Sequence, residues 1–240
     1  MKINWNYIKG LFLLGLVVFL YGFAHHKHSG KKVTDINVEF KQGDNLFMNY
    51  EMVNKLLIQN GKSVKNEAKT VIDLQKLENN VRSHSMVENA SVFLTVDGLL
   101  KTVIKQRTPI ARVISNNRSY YIDKQAKKMP LSNNHSARVM LISGDINDND
   151  IAQIYVLVSK ILSDDFLKKQ IIGGRKTANN EYVLSMRVGE QEIEIGEIEN
   201  LDSKFKNLKA FFNKTMTDKT IDSYTSINLK YNNQVVCTKK

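Results

Sequence analysis

Apolar residues are distributed along this chain in distinct patterns, and each predicts a different element. From 10 to 24 they are nearly continuous, GLFLLGLVVFLYGFA, without a charge. Beyond 33 they alternate in short runs or recur at helical spacing, the periods of half-buried strands and amphipathic helices. Ile36, Val38 and Phe40 alternate as a strand. Asn49 is placed to cap a helix carrying Val53, Leu56 and Leu57, with Gly61 as its stop. Asp73 caps a second helix with Leu74, Leu77 and Val81 on one stripe. The β-rich runs 90–96 and 99–105 are joined by Asp97-Gly98, the dipeptide of a tight two-residue hairpin. Strand, helix, helix and hairpin in that order predict a small α+β unit, with helices against one face of its sheet.

Pro109 marks a boundary. After it the pattern predicts short strands at 118–123 and 139–143, then a helix capped by Asp150 with Ile154, Val158 and Ile161 on one stripe. The runs 181–188 and 191–195 read as a second hairpin around Gly189-Glu190, and Gly173-Gly174-Arg175-Lys176 reads as a turn. A helix from Leu201 carries Phe205, Leu208 and Phe212. The chain closes on a terminal strand in which Ile227, Leu229 and Tyr231 alternate with Asn228 and Lys230.

The uncharged run 10–24, with Leu11, Phe12, Leu13, Leu14, Leu16, Val17, Val18, Phe19 and Leu20, covers roughly 22 Å as a helix, against ~30 Å of hydrocarbon. Including Tyr7 and Ile8, with Lys9 snorkelling, brings it close to a full span. Trp5, Tyr7 and Tyr21 stand where interfacial aromatics anchor the ends. Gly22 and Ala24 have the spacing of a signal-peptidase site, so a cleaved leader is the rival reading; a retained anchor is expected. Lys2 and Lys9 precede the run and Lys27, Lys31 and Lys32 follow it, so charge leaves the orientation open. A leader of nine residues is too short to be a domain, which favours export of the body with the N-terminus inside.

Composition narrows the function classes. The chain has 240 residues, 42% of them hydrophobic, and a formal charge of +11 from 35 Lys+Arg against 24 Asp+Glu. That apolar content excludes a disordered tail, and the single Cys237 excludes an internal disulfide and any cysteine-only metal site. Basic residues are scattered without a nucleic-acid-binding string, so nucleic acid is not expected as a partner, and attraction of Lys27, Lys31 and Lys32 to anionic headgroups is the more plausible use of charge. No nucleophile elbow, H-E-x-x-H or S-x-x-K string is present, and His84 and His135 sit in none, so catalysis is not expected. His25-His26-Lys27-His28 makes a poor metal site because it carries a cation. Asp145, Asn147 and Asn149 lack the glycine and terminal glutamate of a calcium loop and read as helix capping. Four Asn-x-Ser/Thr sequons, at Asn89, Asn117, Asn134 and Asn213, read as composition effects. Neither a metal nor a cofactor is expected.

Several strings nevertheless resemble the bacterial cell division protein family FtsQ (DivIB). Val87-Glu88-Asn89-Ala90 followed by Val92 is similar to that family's approach to its hairpin. Arg107-Thr108-Pro109-Ile110-Ala111 matches the R-x-P-x-A string at its domain junction. Tyr120-Tyr121-Ile122-Asp123 with Met129-Pro130-Leu131 resembles the strand opening its second domain, and Asn228-Leu229-Lys230-Tyr231 stands where a D-L-R-Y-like terminal strand occurs. Ala126 takes the place of a glycine in the turn after Asp123, so a positive φ there would be strained. Asn228 and Lys230 replace an acidic residue and an arginine.

The resemblance implies an α+β protein with a cytoplasmic tail (1–9), a transmembrane helix (10–24), a juxtamembrane linker (25–32), a POTRA domain of β-α-α-β-β order (33–107) and a larger β domain with flanking helices (108–240). It implies a non-enzymatic scaffold, single-pass in the inner membrane with its bulk periplasmic, at the division septum. Its expected partners are the small bitopic coiled-coil proteins FtsB/DivIC and FtsL, other divisome proteins and membrane lipid, and through these it would control septal peptidoglycan synthesis. The binding site implied is the terminal strand: Ile227, Asn228, Leu229, Lys230, Tyr231, Asn233 and Val235. A strand at a sheet edge offers unpaired backbone groups to a visiting segment, while its side chains select the partner. A POTRA-bearing component of outer-membrane assembly or secretion and a tethered cell-wall enzyme are the alternatives. The first would carry tandem POTRA units or a barrel, the second a polar catalytic cluster.

Overall fold

A computed structural model describes residues 5–29, 31–41, 46–59 and 61–240, with the side chains of 6–8 and 24–29 outside that description. The chain divides into two compact units, Met1–Gln106 and Arg107–Lys240.

The first unit begins with helix α1, Trp5–Ser29, whose apolar side chains from Leu11 to Leu20 are all exposed. Among the described residues no helix is long and apolar enough to cross a membrane. The described apolar stretch 10–23 covers roughly 21 Å, and Tyr7, Ile8 and Ala24, which complete the expected span, lie outside the described side chains. The fold proper starts within the expected linker: Lys32 bridges Ala68 and Lys31 Nζ donates to the Val96 carbonyl at 3.2 Å.

Strand β1, Asp35–Phe40, is followed by α2, Tyr50–Leu56, a two-rung hairpin of β2, Ile58–Gln59, and β3, Lys62–Ser63, then α3, Leu74–Arg82. Asn49 Oδ1 accepts from the Met52 N–H and Asp73 Oδ1 from the Lys76 N–H, both at 2.9 Å, so both expected caps are made. Leu57 terminates α2 instead of extending it, and the small hairpin turns on Gly61 at φ 75°. Strands β4, Val87–Leu94, and β5, Leu99–Gln106, complete a sheet of order β1-β5-β4, with β1 parallel to β5. The joining loop is longer than Asp97-Gly98. Thr95 N–H bonds the Leu99 carbonyl at 2.9 Å and Gly98 N–H the Thr95 carbonyl at 3.2 Å, leaving Val96, Asp97 and a left-handed Gly98 as a three-residue loop. Val53, Leu57, Leu77, Val81, Leu100 and Ile104 are fully buried in this unit.

The outer edge of β4 is closed by α3. Glu78 Oε2 accepts from the Val92 N–H at 3.0 Å and Arg82 Nε donates to the Ala90 carbonyl at 3.0 Å, the two side chains also pairing at 3.2 Å one turn apart. Outward-facing backbone that would template another strand is thereby used internally.

The second unit is built on a nine-stranded mixed sheet. In chain order its elements are β6, Pro109–Ser115; β7, Arg118–Asp123; β8, Lys128–Pro130; β9, Met140–Ser143; α4, Asp150–Leu162; α5, Asp165–Gln170; β10, Ile171–Lys176; β11, Tyr182–Met186; β12, Glu192–Gly196; α6, Leu201–Thr217; β13, Tyr224–Asn228; and β14, Val236–Lys239. The strand order is β14-β13-β12-β11-β10-β9-β6-β7-β8, with β6/β9, β9/β10 and β12/β13 parallel. Val113, Ile142, Leu184, Ile193 and Ile227 line one face and pack in a single core with Ile154, Leu157 and Val158 of α4 and Phe205, Leu208 and Phe212 of α6. Burying a Phe or Leu of this kind contributes about 1.5–3 kcal/mol each.

In this unit some expectations hold and others are corrected. Pro109 opens strand β6 as its first residue, a position where the missing donor costs little. Gly173 and Gly174 lie in β10, a fully flanked strand, not in a turn. A Cβ on Gly173 would stand 3.0 Å from the Leu141 carbonyl oxygen and one on Gly174 3.1 Å from Leu184 Cδ2, so the glycines serve close approach of neighbours. Asp150 is the first residue inside α4; its buried carboxylate accepts from Asn147 N–H and from Lys176 Nζ, each at 2.8 Å. The nearby Tyr182 hydroxyl is buried with no hydrogen-bond partner among the described residues, and burial pushes its pKa up to about 12. Ala126 does take the left-handed conformation, at φ 59°. Asp123 secures that turn: it accepts from Gln125 and Lys127 N–H at 2.8 Å each and pairs with Arg107 at 2.7 Å, almost out of solvent.

Candidate functional site

The end of the chain is where the structure departs most from the alternating pattern. β13 stops at Asn228 and is held on both sides, by β12 in parallel and by β14 antiparallel. The terminal edge is therefore β14, not the 227–231 segment expected there. The run 236–239, Val-Cys-Thr-Lys, is β-rich and follows Asn232-Asn233, a turn signal that separates it from β13.

The expected binding residues take different positions. Ile227 and Leu229 are buried in the core beneath the edge. Asn228 and Lys230 face the uncovered side of the sheet and are held there. Asn228 Nδ2 donates to Glu194 Oε2 at 2.9 Å, and Asn228 Oδ1 accepts from the Lys230 N–H at 2.9 Å. Lys230 Nζ reaches Glu181 at 2.5 Å and Glu194 at 3.6 Å, and the Glu181 hydrogen bond holds its ammonium above the ordinary lysine value. The Lys230 stem lies over Gly196, where a Cβ would come within 3.0 Å of it. Tyr231 leaves the alternation because the chain turns, and is 53% exposed. Asn233 carries the left-handed turn at φ 58°, and Val235 returns half-buried to the core.

Among the described residues β14 itself has β13 on one side and no strand on the other. Among the described residues, one side chain bonds its backbone, the Thr225 hydroxyl donating to the Thr238 carbonyl at 3.2 Å. Cys237 is paired with Ile227 in the ladder and packs partly against the core, and burial pushes its thiol up. The opposite edge, β8, has three residues and ends in Pro130, which carries no donor.

The other candidates serve structure. His84 Nδ1 accepts from the Met86 N–H at 3.3 Å in the turn before β4. Asn147 Oδ1 accepts from the Asn149 N–H at 2.9 Å, and Asn116 Nδ2 donates to Asp145 at 3.0 Å, a network leading into α4. The side chains of 25–28 lie outside the described residues. Among the described residues no group of three potential metal ligands converges.

The family described as FtsQ/DivIB, C-terminal related, matches residues 108–238, more than half of the chain and nearly all of the second unit. The chain belongs to the FtsQ/DivIB family. This is a family of division-related membrane proteins of scaffold type, not one known for enzymatic activity. Among solved structures the chain is similar to the major extracytoplasmic domain of the cell division protein DivIB from Geobacillus stearothermophilus, trans isomer. Identity is 12% and the TM-score 0.34, over 48% of this chain and 98% of that one. Among curated proteins, no sequence matches the chain.

Proposed function

We propose that this FtsQ/DivIB member is a membrane-anchored scaffold that recruits division partners by strand addition at β14. In this reading α1 spans the inner membrane with residues 1–9 inside, the first unit is a POTRA domain, and both units face the periplasm at the septum. The partners are FtsB/DivIC-like and FtsL-like bitopic proteins, whose capture positions the machinery of septal peptidoglycan synthesis. The observation that carries the reading is the terminal strand, built on a buried floor of Ile227 and Leu229 and open along its outer side. A partner segment would extend the sheet through main-chain hydrogen bonds, with Tyr231 and Val236 exposed beside it for selectivity. The strand-helix-helix-hairpin order of the first unit and the all-apolar exposed face of α1 support the remaining parts.

The test uses proline. Successive residues of a strand direct their N–H groups to opposite sides, so Cys237→Pro and Thr238→Pro remove one outward and one inward donor between them. The outward variant is expected to keep the fold by circular dichroism and lose pull-down of the small coiled-coil partners. Retained capture by both variants moves the interface elsewhere. In cells, depletion is expected to give filaments with segregated nucleoids and no septa; normal septation excludes the division role.

A further inference from the structure

A groove of about 460 Å³ opens in the second unit, at the end of the sheet where β6, β9 and β10 begin. Its floor is aliphatic: Ile110, Met140, Leu162, Ile171 and Ile172. Two β-bulges build it. The β6/β7 register slips between Pro109 and Ala111, and the β10/β11 register slips between Ile171 and Gly173. The residue left over in each bulge is an isoleucine, Ile110 and Ile172, and both line the same groove. A bulge turns a side chain away from the regular alternation of its strand. Ile172, the second residue of β10, in consequence stands 42% exposed between the buried Ile171 and Gly173.

The rim is cationic. Lys124, Arg138, Lys168 and Arg187 are exposed and come from four separate segments of the chain. None forms an ion pair with a carboxylate among the described residues. Arg187 is held in place, its Nε donating to the Lys169 carbonyl at 2.8 Å and its backbone N–H to the Gln170 carbonyl at 2.6 Å. A neighbouring depression continues past Lys168 and Arg187 to Lys169, with Asp165 as its one acidic lining residue.

We propose that this groove docks a second partner segment, an acidic amphipathic peptide that places aliphatic side chains on Ile110 and Ile172 and carboxylates against the cationic rim. Four cations on four segments suit carboxylates distributed along a chain better than a single phosphate, which needs donors converging on one point. The site is separate from β14 and does not depend on strand addition there.

The probe is a fluorescein-labelled peptide of about a dozen residues alternating Glu and Leu pairs, titrated into the full chain by anisotropy. Expected is saturable binding that weakens with salt, about tenfold weaker with Ile172→Asp or with Lys168→Glu. A peptide with Lys in place of Glu is expected not to bind. Because Ile172 and Lys168 are exposed, neither variant should disturb the circular dichroism spectrum. Binding is expected to persist in whichever of Cys237→Pro and Thr238→Pro keeps the fold and loses coiled-coil capture, which separates this site from the edge reading. Failure of the Glu/Leu peptide to bind overturns the proposal, as does binding indifferent to both substitutions. Binding of phosphatidylglycerol vesicles in place of the peptide, with the same residue dependence, overturns it in favour of a lipid.

Discussion

The edges of β4 and β14 pose the same physical problem and receive opposite treatment. β4 is the longer and presents more backbone, yet Glu78 and Arg82 of α3 reach over and occupy its Val92 N–H and Ala90 carbonyl. β14 is half as long, and among the described residues the one side-chain bond to its backbone comes from Thr225 of the adjoining strand. An unguarded edge is an aggregation hazard that folded proteins ordinarily blunt. Its persistence at β14, in a molecule that guards β4 and ends β8 with proline, is what the proposed strand addition requires.

The contrast can be broken most severely from beneath. Ile227→Ala empties a fully buried site under β14 and is expected to destabilise the second unit by about 2–5 kcal/mol, seen as a lower denaturant midpoint. Partner capture should fall with it. Next comes the guard. Glu78→Ala leaves the Val92 N–H without its acceptor and is expected to cost about 1–3 kcal/mol. It should also create a second adhesive edge, and sedimentation velocity should show concentration-dependent self-association absent from the parent.

Lys230→Met sharpens the comparison more gently. Its ion pairs are partly exposed, so a loss of about 0.5–1 kcal/mol is expected, shrinking with salt. Because the Glu181 hydrogen bond raises its folded value above 10.5, the contribution is complete below 10.5 and fades as pH climbs through the raised value. The variant should therefore lose that part of the alkaline destabilisation. The mildest probe is Cys237. Burial raises its thiol, so iodoacetamide at mildly alkaline pH should modify it more slowly than free glutathione, and at the free rate once the chain is denatured.

Much of the scaffold was legible from pattern alone. Asn49 and Asp73 announced their helices because a short polar side chain before an apolar stripe has one economical use. Phe205, Leu208 and Phe212 announced α6 by spacing. What escaped were features decided by tertiary neighbours. Gly173 and Gly174 look like a turn in any local window, and only the closeness of Leu141 and Leu184 makes them a strand. Pro109 punctuates the sequence, yet at the first position of β6 it breaks nothing. The candidate site divides in the same way. Ile227 and Leu229 obeyed their alternation, but the reversal at Asn233, which supplies β14 and converts β13 into an interior strand, needed a left-handed asparagine that periodicity does not register. The link between Arg107 and Asp123 joins two strings noticed separately, and their sequence spacing held no sign of contact.

The chain enters the second unit through β6 and ends at β14, and the strand order separates the two by six ladder steps, roughly 30 Å at the usual strand spacing. Tension applied between the entering chain and a captured segment would thus run sideways through hydrogen-bonded rungs in series. The shortest ladders in that path, β12/β13 and β9/β10 with three paired residues each against four at β13/β14, lie inside the terminal edge and are the first to yield.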